Sequence, residues 1–149
     1  MCLIIKDAKF GLPQKSKQNR VCYKVIRVQK MHGDKMRYTT PFRNTKLDHE
    51  ILNGVKPFVA NNQKRKWTSL VKMMGTLWLS YPAIGSGYIH AYYSLGAAKR
   101  ACANLHDNSL VVYRCEIPAG TEYFEGEDND ICARQIVFDK MVYSFINEQ

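Results

Sequence analysis

The chain of 149 residues is short of several things, and each shortage closes a door. No apolar run approaches the ~18 residues that a membrane-spanning helix needs. The richest stretch, Leu77 to Tyr93, is interrupted by Pro82 and two glycines. The opening Met-Cys-Leu-Ile-Ile-Lys is too short an apolar run for a signal peptide, so a cytoplasmic location is expected. Of the five cysteines (Cys2, Cys22, Cys102, Cys115 and Cys132), no two have Cys-x-x-Cys spacing, which disfavours a disulfide framework or a zinc ribbon. Reduced thiols packed as small hydrophobes are the expectation. His32, His49, His90 and His106 include no His-x-x-x-His pair. The P-loop, the Gly-x-Ser-x-Gly elbow and the His-Glu-x-x-His helix are all missing. No motif therefore announces an enzyme or a metal site.

Acidic residues are scarce in one half only. Residues 1–72 hold 17 Lys/Arg against 4 Asp/Glu, a balance of +13, and residues 73–149 hold 5 against 9, a balance of −4. A basic half attracts nucleic acid, nucleotides or an acidic protein partner, or else docks on the chain's own acidic half. Lys64-Arg65-Lys66-Trp67 sets an aromatic ring beside three cations, so these four are the candidate nucleic-acid contacts: cations neutralise phosphates and an indole stacks on bases. Trp67 also heads an apolar stripe, which suits a core position equally well.

Length and composition suit one domain spanning 1–149, with 1–20 as a basic loop or arm and 21–149 as the core. Val21 to Val28 reads as a first strand, His32-Gly33-Asp34 as a turn, and Met36 to Arg43 as a second strand kept at an edge by Pro41. Asp48 to Leu52 suits one helical turn before the Asn53-Gly54 turn. Trp67, Leu70, Val71, Met74, Leu77 and Trp78 recur at offsets of three and four, which predicts a helix over 67–79 or a shorter one passing into extended chain. Pro82 to Gly87 reads as a glycine-rich turn, Tyr88 to Tyr93 as extended, and Ser94 as the N-cap of a helix with Ala97, Ala98, Ala101, Cys102 and Leu105 on its apolar face. Leu110 to Ile117 is the clearest strand. Glu122 to Asp130 is an acidic loop without EF-hand order, a solvated segment or a clasp for the basic half. Ile131 to Phe138 and Met141 to Ile146 read as strands joined by a turn at Asp139-Lys140. The sum is an α+β domain with a mixed, mostly antiparallel sheet and a few helices.

Alternation along Tyr88 to Tyr93 places Tyr88, His90 and Tyr92 on one strand face, three hydrogen-bonding rings able to line a pocket for a planar ligand. Gly85-Ser86-Gly87-Tyr88-Ile89-His90-Ala91, followed by Ala97-Ala98 at a helix start, resembles the Gly-x-Gly-Ile-Tyr-Phe-Ala element of the ADP-ribosyltransferase superfamily. Leu110 to Gly120 looks like the strand and turn that follow there, and Tyr23 to Arg27 sits where the first strand would lie. The pattern is also similar to small proteins of phages and gut bacteria with a Tyr-Lys-Val start and an Ile-Pro-x-Gly-Thr-x-Tyr segment. The resemblance implies NAD or another nucleotide-like small molecule as ligand. Lys24 or Arg27 would stand for the first-strand cation, and Tyr88 or His90 for the stacking ring, whose own place holds Ile89. Gln135 stands near the place of the catalytic Glu, and a Gln cannot supply the negative charge that favours an oxocarbenium-like centre. The sequence thus points to a non-catalytic module binding through Lys24, Arg27, Tyr88, His90, Tyr92 and Gln135, or to a polyanion binder using residues 1–72, with an active transferase as the third reading.

Overall fold

The computed structural model describes residues 3–4, 14–41, 45–60, 66–74, 77–86, 88–126 and 129–144, with backbone alone for 3, 4, 34 and 66–86. In chain order the strands are β1 Leu3–Ile4, β2 Gln14–Lys15, β3 Arg20–Lys30, β4 Met36–Thr39, β5 Lys46–Leu47, β6 Phe58–Val59, β7 Lys66–Met74, β8 Leu77–Ser86, β9 Ile89–Tyr92, β10 Leu110–Ile117, β11 Glu122–Glu125, β12 Asp130–Ala133 and β13 Gln135–Ser144. Among the described residues two α-helices join them, α1 His49–Leu52 and α2 Leu95–Leu105. The larger sheet runs β2-β11-β12-β9-β3-β10-β13-β6, with β4 on β3 and β5 on β4, and β1-β8-β7 form a smaller sheet. Each ladder among the described residues is antiparallel. The architecture is α+β, dominated by the sheet. No helix among the described residues is long and apolar enough to cross a membrane.

β10 is the axis. It pairs with β3 over its full length, from Leu110 opposite Arg27 to Ile117 opposite Arg20. Both of its faces are covered. Leu110 and Val112 pack with Val25, Ala98 and Cys102 under α2, while Val111, Tyr113, Cys115 and Ile117 enter a larger cluster with Cys22, Ile26, Ile131, Ile136 and Phe138. Burial on both faces explains why this strand reads as a nearly continuous apolar run. That larger cluster draws on strands from both ends of the sheet order. Cys22, Cys102, Cys115 and Cys132 are buried and outside any disulfide, in line with small-hydrophobe packing; Cys2 lies outside the described residues.

Local chemistry sets the helix ends. The Ser94 hydroxyl accepts from the Ala97 N–H at 3.1 Å, and His106 closes α2 in the left-handed conformation at φ 50°. Asp48 caps α1 by accepting from the Ile51 N–H at 3.0 Å. Gly54, at φ 75°, takes the chain past β13 so closely that a Cβ there would stand 2.6 Å from the Phe138 carbonyl oxygen.

Several expectations change. The helix over 67–79 is instead a hairpin of β7 and β8, with Met74 opposite Leu77. Apolar residues are so dense there that helical offsets arise by coincidence; Gly75 and Thr76 lie outside the described residues. β8 continues through Pro82 to Ser86, where a glycine-rich turn was expected; Gly87 lies outside the described residues. The acidic loop is largely strand: Glu122 to Glu125 form β11 and Asp130 opens β12, because Tyr123, Phe124 and Ile131 bury their side chains. The strand expected over Ile131 to Phe138 breaks at Arg134. β13 then runs straight through Asp139-Lys140, which is a bulge and not a turn. Asp139 is an extra residue between the pairs Arg114–Lys140 and Cys115–Phe138, and its carboxylate accepts from Arg114 Nη1 at 2.6 Å. The second strand is shorter than expected, ending at Thr39 with Pro41 beyond it; Phe42 and Arg43 lie outside the described residues. In the segment expected as a basic arm, Gln14–Lys15 pair with β11.

Candidate functional site

β9 meets β3 at a single register pair, Tyr23 opposite Tyr92. Beyond it the two strands separate, and Lys24 fills the opening: its Nζ donates to the His90 carbonyl oxygen at 2.8 Å. The ammonium end is crowded by protein although the side chain as a whole keeps partial exposure. Burial pushes its pKa down to about 8, against a small opposing effect of the neighbouring Cys115 and Cys22 thiols. Above this opening, between β3, β9 and the end of α2, lies a cavity of about 30 Å³. Lys24, His90, Tyr92 and Asp130 line it together with apolar Val25 and Ala101. Burial, and to a smaller degree Asp130, raise the Tyr92 pKa, so this phenol is neutral at ordinary pH.

The six expected ligand residues therefore divide. Lys24, His90 and Tyr92 come together. Arg27 has the parity of Tyr23 and Val25 and so lies on the α2 face of β3, yet it does not line the cavity. There its Nε bonds Asp107 at 3.2 Å and its Nη1 bonds the Pro41 carbonyl at 3.2 Å. Asp107 is itself fixed by the Ser109 hydroxyl and N–H, which, ahead of Arg27, hold its pKa below the usual carboxylate range. Tyr88 packs edge-on against Phe124, ring centroids 5.3 Å apart, with the Arg134 guanidinium 5.7 Å from its ring, and it does not line the cavity. Gln135 opens β13, donates to the Thr121 hydroxyl at 3.2 Å and does not line the cavity. Of the nucleic-acid candidates, Lys64 and Arg65 lie outside the described residues. Lys66 and Trp67 begin β7, and their side chains lie outside the description.

A second polar centre realises the clasp expected of the acidic segment, through residues the sequence did not single out. Arg20 bonds the Tyr123 hydroxyl at 2.5 Å and Glu125 at 3.3 Å, and its guanidinium stands 5.4 Å and 4.8 Å from the centres of the Tyr93 and Tyr123 rings. Burial, then a bond to Glu125, push the Tyr93 hydroxyl far above its ordinary pKa. This is the clasp between the basic and acidic parts of the chain, and its charges are matched within it. The one available signal was parity, since Arg20 precedes buried Cys22 by two residues and so shares its strand face.

The third feature is a cationic surface on the sheet extension β3-β4-β5. Register places Arg27 opposite Thr39, Gln29 opposite Arg37, and Thr39 opposite Lys46, so these five residues share one face. The other face is apolar at Tyr38 and Leu47, which pack on the core. Lys35, Arg37 and Lys46 are exposed, and among the described residues they form no ion pair. Asp48 and Glu50, the acids of the first 72 residues whose side chains are described, are both engaged by Lys56 at 3.1 and 3.4 Å. Lys30 and His32 extend the polar tip beside exposed Met31 and Met36.

Among the described residues no cluster of three His, Cys, Asp or Glu is placed to hold a metal ion. A scan against protein-family models, a search of curated proteins and a search of solved structures find no match to this chain.

Proposed function

We propose that the protein is a non-catalytic nucleic-acid-binding module whose contact surface is the β3-β4-β5 extension. The observation that carries this reading is the lack of internal compensation there among the described residues. Two arginines of the basic half, Arg20 and Arg27, are neutralised by Glu125 and Asp107 from the acidic half. Lys35, Arg37 and Lys46 instead stand exposed, two of them on one strand face. Cations so arranged neutralise successive phosphates of a duplex. A reduced, cytoplasmic setting accords with four buried cysteines outside any disulfide. The test is fluorescence anisotropy with a short DNA or RNA duplex across a salt series. Binding that weakens steeply and log-linearly with salt supports the reading. The absence of binding at low salt, or affinity indifferent to salt, overturns it. Capture of acidic protein in place of nucleic acid would assign the same surface to a protein partner.

The nucleotide-ligand reading stands second. What favours it is the convergence of Lys24, His90 and Tyr92 on one cavity. Against it stand the size of about 30 Å³, the carboxylate of Asp130 in the wall and the commitment of Arg27 to Asp107. We carry the ADP-ribosyltransferase-like reading as a proposal about the fold. The succession β9, α2, β10 supports it, and Gln135 in the region of the catalytic Glu supports the absence of transfer chemistry.

A further inference from the structure

We infer that the cavity between β3, β9 and α2 is a reversible covalent site for a small neutral aldehyde, with Lys24 as its amine. The inference is independent of the nucleic-acid reading, because it uses a different part of the sheet. Three observations carry it. The Lys24 side chain ends at the opening between β3 and β9, its Nζ fixed by the His90 carbonyl oxygen at 2.8 Å. That opening borders a cavity of about 30 Å³, room for about two water-sized groups. Ala101 and Leu105 of α2 give the cavity an apolar wall, while Tyr92 and Asp130 stand on its other side.

Crowding by protein lowers the pKa of this amine to about 8, so a useful fraction is neutral near physiological pH. A neutral amine keeps a proton to give to the His90 carbonyl and has its lone pair for a carbonyl carbon. The ionisable groups around it are Cys22 on its own strand, Cys115 and Tyr113 on β10, His90 and Tyr92 on β9, and Asp130 on β12. The Cys115 thiol is pushed well above its ordinary pKa, first by burial and then by its bond with Cys22, and is a poor competing nucleophile. The chemistry balances without oxidant or reductant. The Nζ lone pair adds to the aldehyde carbon and the carbonyl oxygen becomes a hydroxyl. That oxygen then leaves as water with the two amine protons, and a C=N bond replaces the C=O bond. The Tyr92 phenol, neutral because it is half-buried, is the nearby acid for the departing oxygen. Cavity size selects a two-carbon aldehyde over an aromatic one. The carboxylate of Asp130 selects a neutral compound over a 2-oxo acid, whose own carboxylate it repels.

The experiment is reductive trapping with acetaldehyde and cyanoborohydride, followed by peptide mapping of the native protein. An amine of pKa about 8 holds roughly two-hundred-fold more free base at pH 7 than an ordinary lysine. Its lower basicity reduces intrinsic nucleophilicity, so ethylation of Lys24 is expected to be about tenfold faster than at Lys15, Lys30 or Lys35. Benzaldehyde should show no such preference for Lys24. Lys24→Arg should lose the fast labelling phase, and if that variant does not fold the wild-type peptide map decides alone. Labelling of Lys24 no faster than the exposed lysines, or equal preference with benzaldehyde, overturns the inference.

Discussion

Lys24 Nζ and the His90 carbonyl oxygen are 2.8 Å apart across the gap left where β9 parts from β3. A strand carbonyl deprived of its ladder partner in a partly dry place needs a donor, and a lysine stem of four carbons reaches it. The cost is desolvation of the ammonium, which lowers its pKa to about 8.

That cost has a pH signature. The amine titrates near 8 in the folded chain and at ~10.4 in the unfolded one. Between those values the unfolded state binds more protons, so this residue's contribution to stability improves as pH rises from about 8 to 10.4. Below 8 both states are protonated and the penalty is constant. Urea denaturation of wild type and Lys24→Met from pH 7 to 10 should show wild type gaining on the variant across that window. Parallel curves would contradict the buried-amine account.

Ser94 supplies the N-cap of α2, whose Ala98 and Cys102 close one core cluster. Ser94→Ala should cost about 1 kcal/mol, lowering Tm by about 2–4 °C. A Tm within error of wild type would show that the cap is not used in solution.

Among the described glycines, Gly54 is the one whose backbone and surroundings both forbid a side chain. At φ 75° and with the Phe138 carbonyl oxygen 2.6 Å from an added Cβ, Gly54→Ala should destabilise by more than about 1 kcal/mol. Gly33→Ala, at φ 77° but with open space around it, should cost less. Chemical denaturation of the two variants compares them, and equal loss would show that conformation alone, not the approach to β13, sets the effect.

Arg37 and Lys46 lie on one face with no ion pair among the described residues. If each neutralises one phosphate, Arg37→Ala and Lys46→Ala should each reduce the log–log salt slope of duplex binding by about 1. Lys140→Ala on exposed β13, remote from that extension, should leave the slope unchanged. A uniform fall in all three would point to net charge in place of a localised surface.

The elements with strong local chemistry were legible in the sequence. Ser94 and the alanines behind it gave α2, Asp48 gave α1, and the β-branched runs at Val21 and Leu110 gave the two central strands. Where reading failed, the deciding contact was distant in sequence. Tyr123 and Phe124 carry acidic neighbours into a strand because their rings bury, and nothing local announces that. Asp139-Lys140 has turn chemistry, yet pairing with β10 accommodates Asp139 as a bulge. Trp67 to Trp78 is apolar enough to satisfy a helical and a hairpin pattern at once. For the site, period-two alternation gave His90 and Tyr92 a common face. The same rule, applied to Lys24 and Arg27, already separates them, since they differ by an odd number of residues. The Arg20 clasp depends on Tyr93 and Tyr123, about 70 and 100 residues away, and only the folded sheet brings them together.

The central claim is that the β3-β4-β5 extension receives nucleic acid. Backbone NMR titration of the labelled protein with a short duplex at low salt tests it residue by residue. The account predicts chemical-shift changes concentrated at Lys30, Lys35, Arg37 and Lys46 that vanish when salt is raised, with β13 around Lys140 and the cavity at Tyr92 undisturbed. Shifts confined to the cavity residues, or no shifts at all, would contradict it.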